Sequence, residues 1–250
     1  RILYHYYRQI ALTPGTDGPI DEISLECSLP GYYQPPHIIA YGMYCYLTEG
    51  YWGRDYGNDE GIPPDGFKRT LMGVYPAGGA FDYGTFESMG AGDGLGGNGI
   101  TPIVLSSWMH FLDAEVAGVN TAAGTASTLA GIEDSLNKVN GFAGSPTMPA
   151  GAIDAYLAAF QYDWNIAADK MELWAEEFWT TQRGNGIDAY NSYRRNGYPK
   201  NLQPMLETNP GPFPVSMWYP ANYAANNSNV TQKSDVTGRV FWNTSGPSVD

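Results

Sequence analysis

Residues 174–204 read WAEEFWTTQRGNGIDAYNSYRRNGYPKNLQP, and most of the predicted architecture follows from them. The stretch begins with Trp174 and Phe178 four positions apart, which is the spacing of one helix face. Gly184 is the predicted stop of that helix, because glycine readily adopts the backbone conformation that closes a helix. A loop rich in tyrosine, asparagine and arginine follows. Loops of this composition bind sugars or peptides more often than they carry out bond chemistry.

Further helices are predicted upstream, where apolar residues recur at steps of three and four from residue 101 onward. Four helix faces share this spacing: Leu105, Trp108, Leu112, Val116 and Val119; Leu129, Ile132, Leu136 and Val139; Ile153, Tyr156, Leu157 and Phe160; and Ala167, Met171, Trp174 and Phe178. Thr147 is the predicted N-cap of the third helix. Because the connections are short, consecutive helices are expected to pack antiparallel, in pairs similar to tetratricopeptide-like units.

The predicted fold class is mainly α, and the chain divides into three segments. Residues 1–100 are expected to be loop-rich, since proline and glycine interrupt them constantly, with short strands such as one around residues 38–46. Residues 101–184 hold the helical hairpins. Residues 185–250 are predicted to be irregular, because helical spacing ends after Asn185 and proline, asparagine and tyrosine dominate to the end.

Composition excludes two classes of partner. The chain carries 13 basic against 26 acidic residues, a formal charge of −13, and no basic run longer than Arg194 and Arg195. Proteins that bind nucleic acid or anionic membranes normally show a basic patch, so neither is an expected partner. A charged fraction of only 16%, with 31 glycines, 18 prolines and 19 tyrosines, is typical of an extracytoplasmic protein with long ordered loops.

Two features of the chain stay open at this level. Cys27 and Cys45 either form one disulfide or remain free thiols. The sequence begins at Arg1 and shows no signal peptide, which we interpret as a fragment or a processed product. No apolar run approaches the roughly 20 residues that cross a bilayer.

Catalytic patterns are weak, so no enzyme is predicted. The glycine-rich run at residues 90–99 lacks the flanking strand that a dinucleotide site requires, and it is interpreted as a loop. Asp113 and Glu115 lie two positions apart on a predicted helix and point about 200° from one another, which does not make a glycosidase pair. Glu115 borders the apolar face, so a bond to a neighbouring helix is its alternative role. Carboxylates from separate loops remain an open alternative.

A metal site is a second, weaker candidate. Asp55, Asn58 and Asp59 crowd one segment, and hard oxygen ligands at close spacing suit a structural Ca²⁺ ion. The competing interpretation is a loop closed by hydrogen bonds, in which Arg54 pairs with these carboxylates. No other cofactor is expected.

Loop aromatics are the main ligand-binding candidates. Tyr32, Tyr33, Tyr51 and Trp52 stand among glycines and prolines, and Arg54 follows closely. Sugar rings stack on aromatic planes while their hydroxyls bond to arginine or amide groups, and the same rings suit peptides. The alternative is that these rings attach the loops to the core.

Six blocks of this chain resemble, in the family's own order, the second half of the SusD/RagB family of Bacteroidetes, in the SusD-like subgroup. The blocks are GRDYGNDEGIPPD (53–65), RTLMGVYPAGG (69–79), GGNGITPI (96–103), FLDAEV (111–116), QRGNGIDAYNSYRRNGYP (182–199) and SMWYPANYAANN (216–227). The resemblance implies a mainly helical, tetratricopeptide-like scaffold with a loop-rich C-terminal region. The N-terminal half of such a protein, with its lipidated cysteine, has no counterpart here, so the three segments together correspond to one incomplete SusD-like domain.

The resemblance also implies a function. Such proteins are lipid-anchored on the outer face of the outer membrane, where they capture oligosaccharides or oligopeptides for a SusC-like TonB-dependent transporter. They are not enzymes and use no cofactor. Two alternatives from other classes remain open: a helical glycoside hydrolase acting on a similar glycan, and a structural subunit of a surface complex.

Overall fold

A computed structural model describes residues 7–8, 46–47, 51–52, 71–75, 98–143, 145, 147–202, 209 and 211–243. The described part of the chain is mainly helical, which confirms the predicted fold class. Its helices are α1 (Ser106–Ala117), α2 (Ala122–Asn140), α3 (Ala152–Ile166), α4 (Lys170–Thr181), α5 (Gly186–Asn196) and α6 (Ala221–Asn226). Four two-residue strands precede them, namely β1 (Tyr7–Arg8), β2 (Tyr46–Leu47), β3 (Tyr51–Trp52) and β4 (Leu71–Met72).

The strands form two small antiparallel ladders. β1 pairs with β4, so that Tyr7 lies opposite Met72, and β2 pairs with β3, so that Tyr46 lies opposite Trp52. Of the strand predicted around residues 38–46, the structure describes Tyr46, which pairs within β2, while residues 38–45 lie outside the described part of the chain.

The long helices pack around one aromatic core. α1 packs mainly on α2, α2 also contacts α3, and α4 lies against both α1 and α2. The turn between α1 and α2 is tight: Gly118 has φ +86°, and the Thr121 hydroxyl accepts a hydrogen bond from the Gly124 amide at 3.0 Å as the N-cap of α2.

Three fully or nearly fully buried rings join α1 to α4. Phe111 of α1 stacks on Phe178 of α4, with ring centroids 5.3 Å apart and planes at 14°. Trp174 tilts against Phe178 at 5.3 Å and meets the edge of Phe111 at 6.5 Å. Offset-stacked and edge-to-face pairs of this kind stabilise a fold by roughly 0.5–1.5 kcal/mol each beyond the area they bury.

The indole N–H group of each buried tryptophan in this core donates a hydrogen bond. The Trp174 indole N–H donates to the Phe111 carbonyl at 3.1 Å, and the Trp108 indole donates to the Thr181 carbonyl at 2.9 Å. The Trp164 indole donates to the Thr125 hydroxyl at 3.0 Å. A buried donor without a partner costs about 1–3 kcal/mol, so these bonds fix the helix positions as well as the rings.

The buried face of α1 differs from the predicted one. Trp108 is buried as expected, but Leu112 is 36% exposed and Val116 is 89% exposed. Phe111 and Ala114 take their places in the core. Apolar residues occupy two neighbouring faces of this helix, and the spacing of three and four fits both. The predicted face of α2 is confirmed, with Ile132, Leu136 and Val139 buried and Leu129 packed partly buried against the core.

Two predicted helix boundaries are also wrong. α3 begins after Gly151, which has φ +76°, and Thr147 does not cap it. Ala167 follows α3 as its C-cap and is not part of α4. α4 ends at Thr181, and Gly184, with φ +87°, lies in the short connection beyond it.

The region predicted to be irregular contains a regular helix, α5. Asn185 caps it, since its side-chain oxygen accepts from the Asp188 amide at 3.2 Å, and Gly197 closes it with φ +76°. No residue of α5 is fully buried, so the apolar spacing that reveals a core helix is missing. Instead, Tyr190 and Tyr193 pack on Phe213 at 5.8 and 5.0 Å between ring centroids.

A polar cluster joins the start of α4 to the chain after α5. Asp169 caps α4 by accepting from the Met171 amide at 3.1 Å, and it also accepts from the Tyr198 hydroxyl at 2.9 Å and the Lys200 ammonium at 3.1 Å. Desolvation acts to raise the pKa of the Asp169 carboxyl, but the bonds from Tyr198 and Lys200 outweigh it, and the pKa is lowered.

Adding a methyl group at Gly131 is expected to destabilise the protein. A Cβ built there would lie 2.8 Å from the Phe111 ring and 3.2 Å from the Ser107 carbonyl. Phe111 is held between Trp174 and Phe178 and cannot move aside. We expect Gly131→Ala to lower the free energy of unfolding by about 1–3 kcal/mol, measured by urea denaturation.

Gly186→Ala is the matched control, because a Cβ there meets nothing within 4 Å. We expect this variant to be neutral or more stable by up to about 1 kcal/mol, since alanine suits a helix better than glycine. Equal losses in both variants would contradict a close contact between α1 and α2 at Gly131.

Stability is expected to depend on the Asp169 charge in acid. Because its folded pKa is lowered, the contribution is present above the unfolded value near pH 4 and is lost as pH falls through the folded pKa. Asn caps helices as well as Asp does, so Asp169→Asn removes the charge and keeps the cap. The stability gap between wild type and variant should therefore narrow progressively as pH falls below about 4. A gap that does not change with pH would contradict this role.

Candidate functional site

A groove of about 410 Å³ opens between α1, the end of α4 and α5. Volumes of this size are typical of small-ligand sites. The lining has an apolar part and a polar part. The apolar part is Val104, Trp108, Met109, Leu112, Phe178 and Trp242, and the polar part is Gln182, Asp188, Asn191, Ser192 and Arg195. We call this the α1–α5 groove.

An ion pair holds the two sides of the groove together. The Arg195 guanidinium of α5 donates to both carboxylate oxygens of Glu115 on α1, with Nη2 2.8 Å from Oε2. Two parallel N–H···O bonds fix orientation as well as distance. The helix-to-helix bond expected for Glu115 is therefore confirmed, and its partner lies 80 positions further along the chain.

The floor of the groove contains an amide that is only half satisfied. Gln182 is 3% exposed, its Nε2 donates to the Ser192 hydroxyl at 3.3 Å, and its Oε1 has no hydrogen-bond partner. Buried polar atoms are rarely left unpaired. A donor that reaches this buried oxygen would complete its hydrogen bonding. Asn191, half-buried on α5, adds a second side-chain amide without a partner in the described part of the chain.

One wall of the groove is the Trp242 indole, which a neighbouring arginine holds in place. The Arg194 guanidinium lies 4.5 Å from the Trp242 ring centroid and 4.9 Å from that of Tyr190. It also donates to the Val215 carbonyl at 3.1 Å. Cation–π contacts of this length stabilise by roughly 0.5–2 kcal/mol. Trp242 is 37% exposed, so part of its ring is open to solvent.

Three described carboxylates in and near the groove, Asp188, Glu115 and Glu177, already have hydrogen-bond partners. Asp188 accepts from the Asn185 side-chain amide at 2.7 Å, and Glu115 is paired with Arg195. Asp113 is exposed, on a different side of α1 from Glu115. Glu177 is buried and accepts from the Tyr156 hydroxyl at 2.5 Å within the core. Among these groups, no two carboxylates face one another across the groove.

The described lining of the groove contains none of the ligand-binding residues predicted from the sequence, and their role stays a prediction. Tyr51 and Trp52 form β3, while Tyr32, Tyr33 and Arg54 lie outside the described residues. The same holds for the metal candidates Asp55, Asn58 and Asp59 and for Cys27 and Cys45. Where the structure does describe the chain, no three histidine, cysteine or acidic side chains converge on a metal position. No described helix is long and apolar enough to span a membrane.

Part of the groove lies in a stretch for which the sequence indicates ligand binding, and that binding stays a prediction. The tyrosine-, asparagine- and arginine-rich stretch after Gly184 was predicted to bind ligand, and it supplies the four α5 residues of the lining. Gln182 and Trp242 were missed. Their role depends on contacts between segments that lie far apart in sequence, and no local pattern distinguishes them from other glutamines and tryptophans.

Comparison with known proteins gives limited similarity. No protein-family profile and no curated protein matches the chain. Among solved structures, the chain is similar to a chitin-binding protein, with 25% sequence identity and a TM-score of 0.46. The match covers 56% of this chain and 32% of that one, so this chain spans about a third of the similar structure.

Coupling between Glu115 and Arg195 is measurable by a double-mutant cycle. Both side chains are partly exposed, which weakens their attraction through solvent screening. We expect Glu115→Gln, Arg195→Gln and the double variant to give a coupling energy of about 0.5–1 kcal/mol at low salt, smaller at high salt. A coupling of zero at low salt would show that this pair does not hold the groove together.

Proposed function

We propose that this protein captures a neutral oligosaccharide, or an oligopeptide, in the α1–α5 groove and leaves its bonds intact. The observation that carries the proposal is the groove itself, which the Asn191 amide and the partly exposed Trp242 ring line together with the half-satisfied Gln182 amide. Rings stack on the apolar faces of sugars, and amides bond to their hydroxyls.

The preformed state of the groove supports capture. The ion pair between α1 and α5 and the rings between α1 and α4 hold the lining in position before ligand arrives. A preorganised site loses little side-chain entropy on binding, so a few contacts suffice for useful affinity. Release then remains fast, as a protein that passes its ligand onward requires.

Binding without turnover is supported by the state of the carboxylates. Hydrolysis of a glycosidic bond uses two carboxyl groups on opposite sides of that bond. Among the described residues that line the groove, Asp188 is the one carboxylate, and the Asn185 amide already binds it.

The cellular role that we propose follows the sequence resemblance to SusD-like proteins. In this role the protein is lipid-anchored on the outer face of the outer membrane and delivers its ligand to a SusC-like TonB-dependent transporter. Co-purification from native membranes tests it, because a barrel transporter should elute with the protein. Elution without such a partner would contradict delivery to a transporter, but it would not contradict ligand capture.

Titration calorimetry with hexasaccharides of chitin, cellulose and xylan, and with a mixture of oligopeptides, tests capture. Chitin is included because the similar solved structure is named a chitin-binding protein. For the probe that binds, we expect Asn191→Ala and Gln182→Met to weaken affinity about 3- to 10-fold each, the effect of one lost hydrogen bond. Gln161→Ala, which removes an exposed amide from α3, is the control and should bind like wild type.

Two results would contradict the proposal. One is affinity that none of the groove variants alters, which would place the ligand elsewhere. The other is cleavage of a probe, seen by mass spectrometry after incubation with the purified protein, which would favour the hydrolase alternative.

A further inference from the structure

Four large side chains stand exposed on a short segment after α5. Met217 is 61% exposed, Trp218 51%, Tyr219 40% and Tyr223 49%. The Tyr219 and Tyr223 rings meet edge to face at 6.0 Å and 68°. We call these four residues the aromatic shelf. Exposed apolar patches mark interaction sites in folded proteins.

The backbone beneath the shelf is firmly held. The Gln232 side-chain amide forms two hydrogen bonds with the backbone of Tyr219. It accepts from the Tyr219 N–H at 3.1 Å and donates to the Tyr219 carbonyl at 2.9 Å. The Lys233 ammonium donates to the Met217 carbonyl at 2.8 Å and lies 5.1 Å from the Tyr219 ring centroid. The rings are therefore exposed even though hydrogen bonds fix the backbone that carries them.

The base of the shelf is buried and joined to the groove wall. Val215 is 0% exposed, and both its amide and that of Ser216 donate to the Val236 carbonyl at 3.0 Å. The Val215 carbonyl accepts from Arg194, the residue that also holds Trp242. Shelf and groove are thus attached to the same helix, α5.

The area of the shelf is too small for a standard protein partner. Large aromatic side chains present about 150–250 Å² each, so four half-exposed residues offer roughly 400 Å². A protein–protein contact of standard size covers about 800 Å² on each side. An area of this order corresponds to a short run of sugar units.

The chemistry of the shelf favours a neutral glycan. Residues 214–232 contain no charged side chain, and Lys233 is the first. The Trp218 indole N–H and the exposed Asn222 amide have no hydrogen-bond partner in the part of the chain that the structure describes. Rings with free donors beside them, no charge within residues 214–232 and a neighbouring Lys233 ammonium that already donates to the Met217 carbonyl match uncharged sugars. A chain of net charge −13 also repels acidic polysaccharides.

We propose that the aromatic shelf is a second glycan-binding surface, which extends the α1–α5 groove so that long neutral chains bind more tightly than short ones. This inference rests on the proposed glycan capture. Two contacts along one chain act through effective concentration, so the second contact strengthens binding only when the ligand is long enough to reach both.

The test compares hexasaccharides with disaccharides of chitin, cellulose and xylan by titration calorimetry. We expect Trp218→Ala and Tyr223→Ala to weaken hexasaccharide affinity 5-fold or more and to leave disaccharide affinity unchanged. Tyr162→Ala removes an exposed tyrosine from α3 and is the matched control, expected to bind both lengths like wild type. In ¹H–¹⁵N spectra the Trp218 indole signal, assigned with Trp218→Phe, should shift on addition of hexasaccharide.

The outcomes separate the two proposals. If hexasaccharides bind and Asn191→Ala weakens them, but shelf variants and the Trp218 signal are unaffected, capture stands and the shelf proposal is overturned. If none of the probes binds the unmodified protein, both glycan capture and the shelf are overturned. A shift of the Trp218 signal by a folded protein partner but by no glycan would identify the shelf as a protein interface and overturn the inference.

Discussion

The hydrogen bond from the Trp174 indole to the Phe111 carbonyl is the constraint on which the arrangement of α1 and α4 depends. Both residues are fully buried, so sliding one helix along the other would leave a donor unpaired in the core, at a cost of about 1–3 kcal/mol. The same two residues stack with Phe178, which forms the back of the groove together with Trp108. Trp108 is in turn bonded to the last carbonyl of α4. Core and groove therefore share side chains, so the contacts that fix the core also fix the back of the groove.

α5 completes the site without entering the core. Its position is set by polar and aromatic contacts: Arg195 to Glu115, and Tyr190 and Tyr193 to Phe213. Burial at Tyr193 is sufficient for desolvation, with a contribution from the Glu172 charge, to raise the pKa of its hydroxyl. A helix held in this way leaves its amides and hydroxyls available at the surface, which a binding protein needs and a core helix cannot offer.

Sequence patterns predicted the mainly helical fold and the buried face of α2, because Ile132, Leu136 and Val139 allow only one amphipathic solution. They misplaced the buried face of α1, because both Leu112 and Phe111 lie at positions that fit a core-facing stripe. In the structure Phe111 packs against Trp174, and Leu112 is partly exposed. They missed α5, because this helix has no periodic apolar face. Its tyrosines and arginines contact distant segments of the chain, and such contacts leave no local pattern. For the groove, the sequence indicated only a composition, namely the stretch rich in tyrosine, asparagine and arginine after Gly184. Gln182 belongs to it because three separate stretches of chain meet there, and the predicted residues Tyr32, Tyr33 and Arg54 lie outside the described residues.

Arg194 carries a consequence for how this surface can evolve. Its flat guanidinium lies over Tyr190 and Trp242 and reaches the Val215 carbonyl at the same time. Lysine ends in a compact ammonium without a flat face that can stack on two rings while a separate N–H group reaches a carbonyl. Substitution scores treat lysine as the nearest relative of arginine, yet at this position the exchange would detach an aromatic wall and a backbone anchor in one step. Descendants of this chain are thus freer to change the rings themselves than the cation between them.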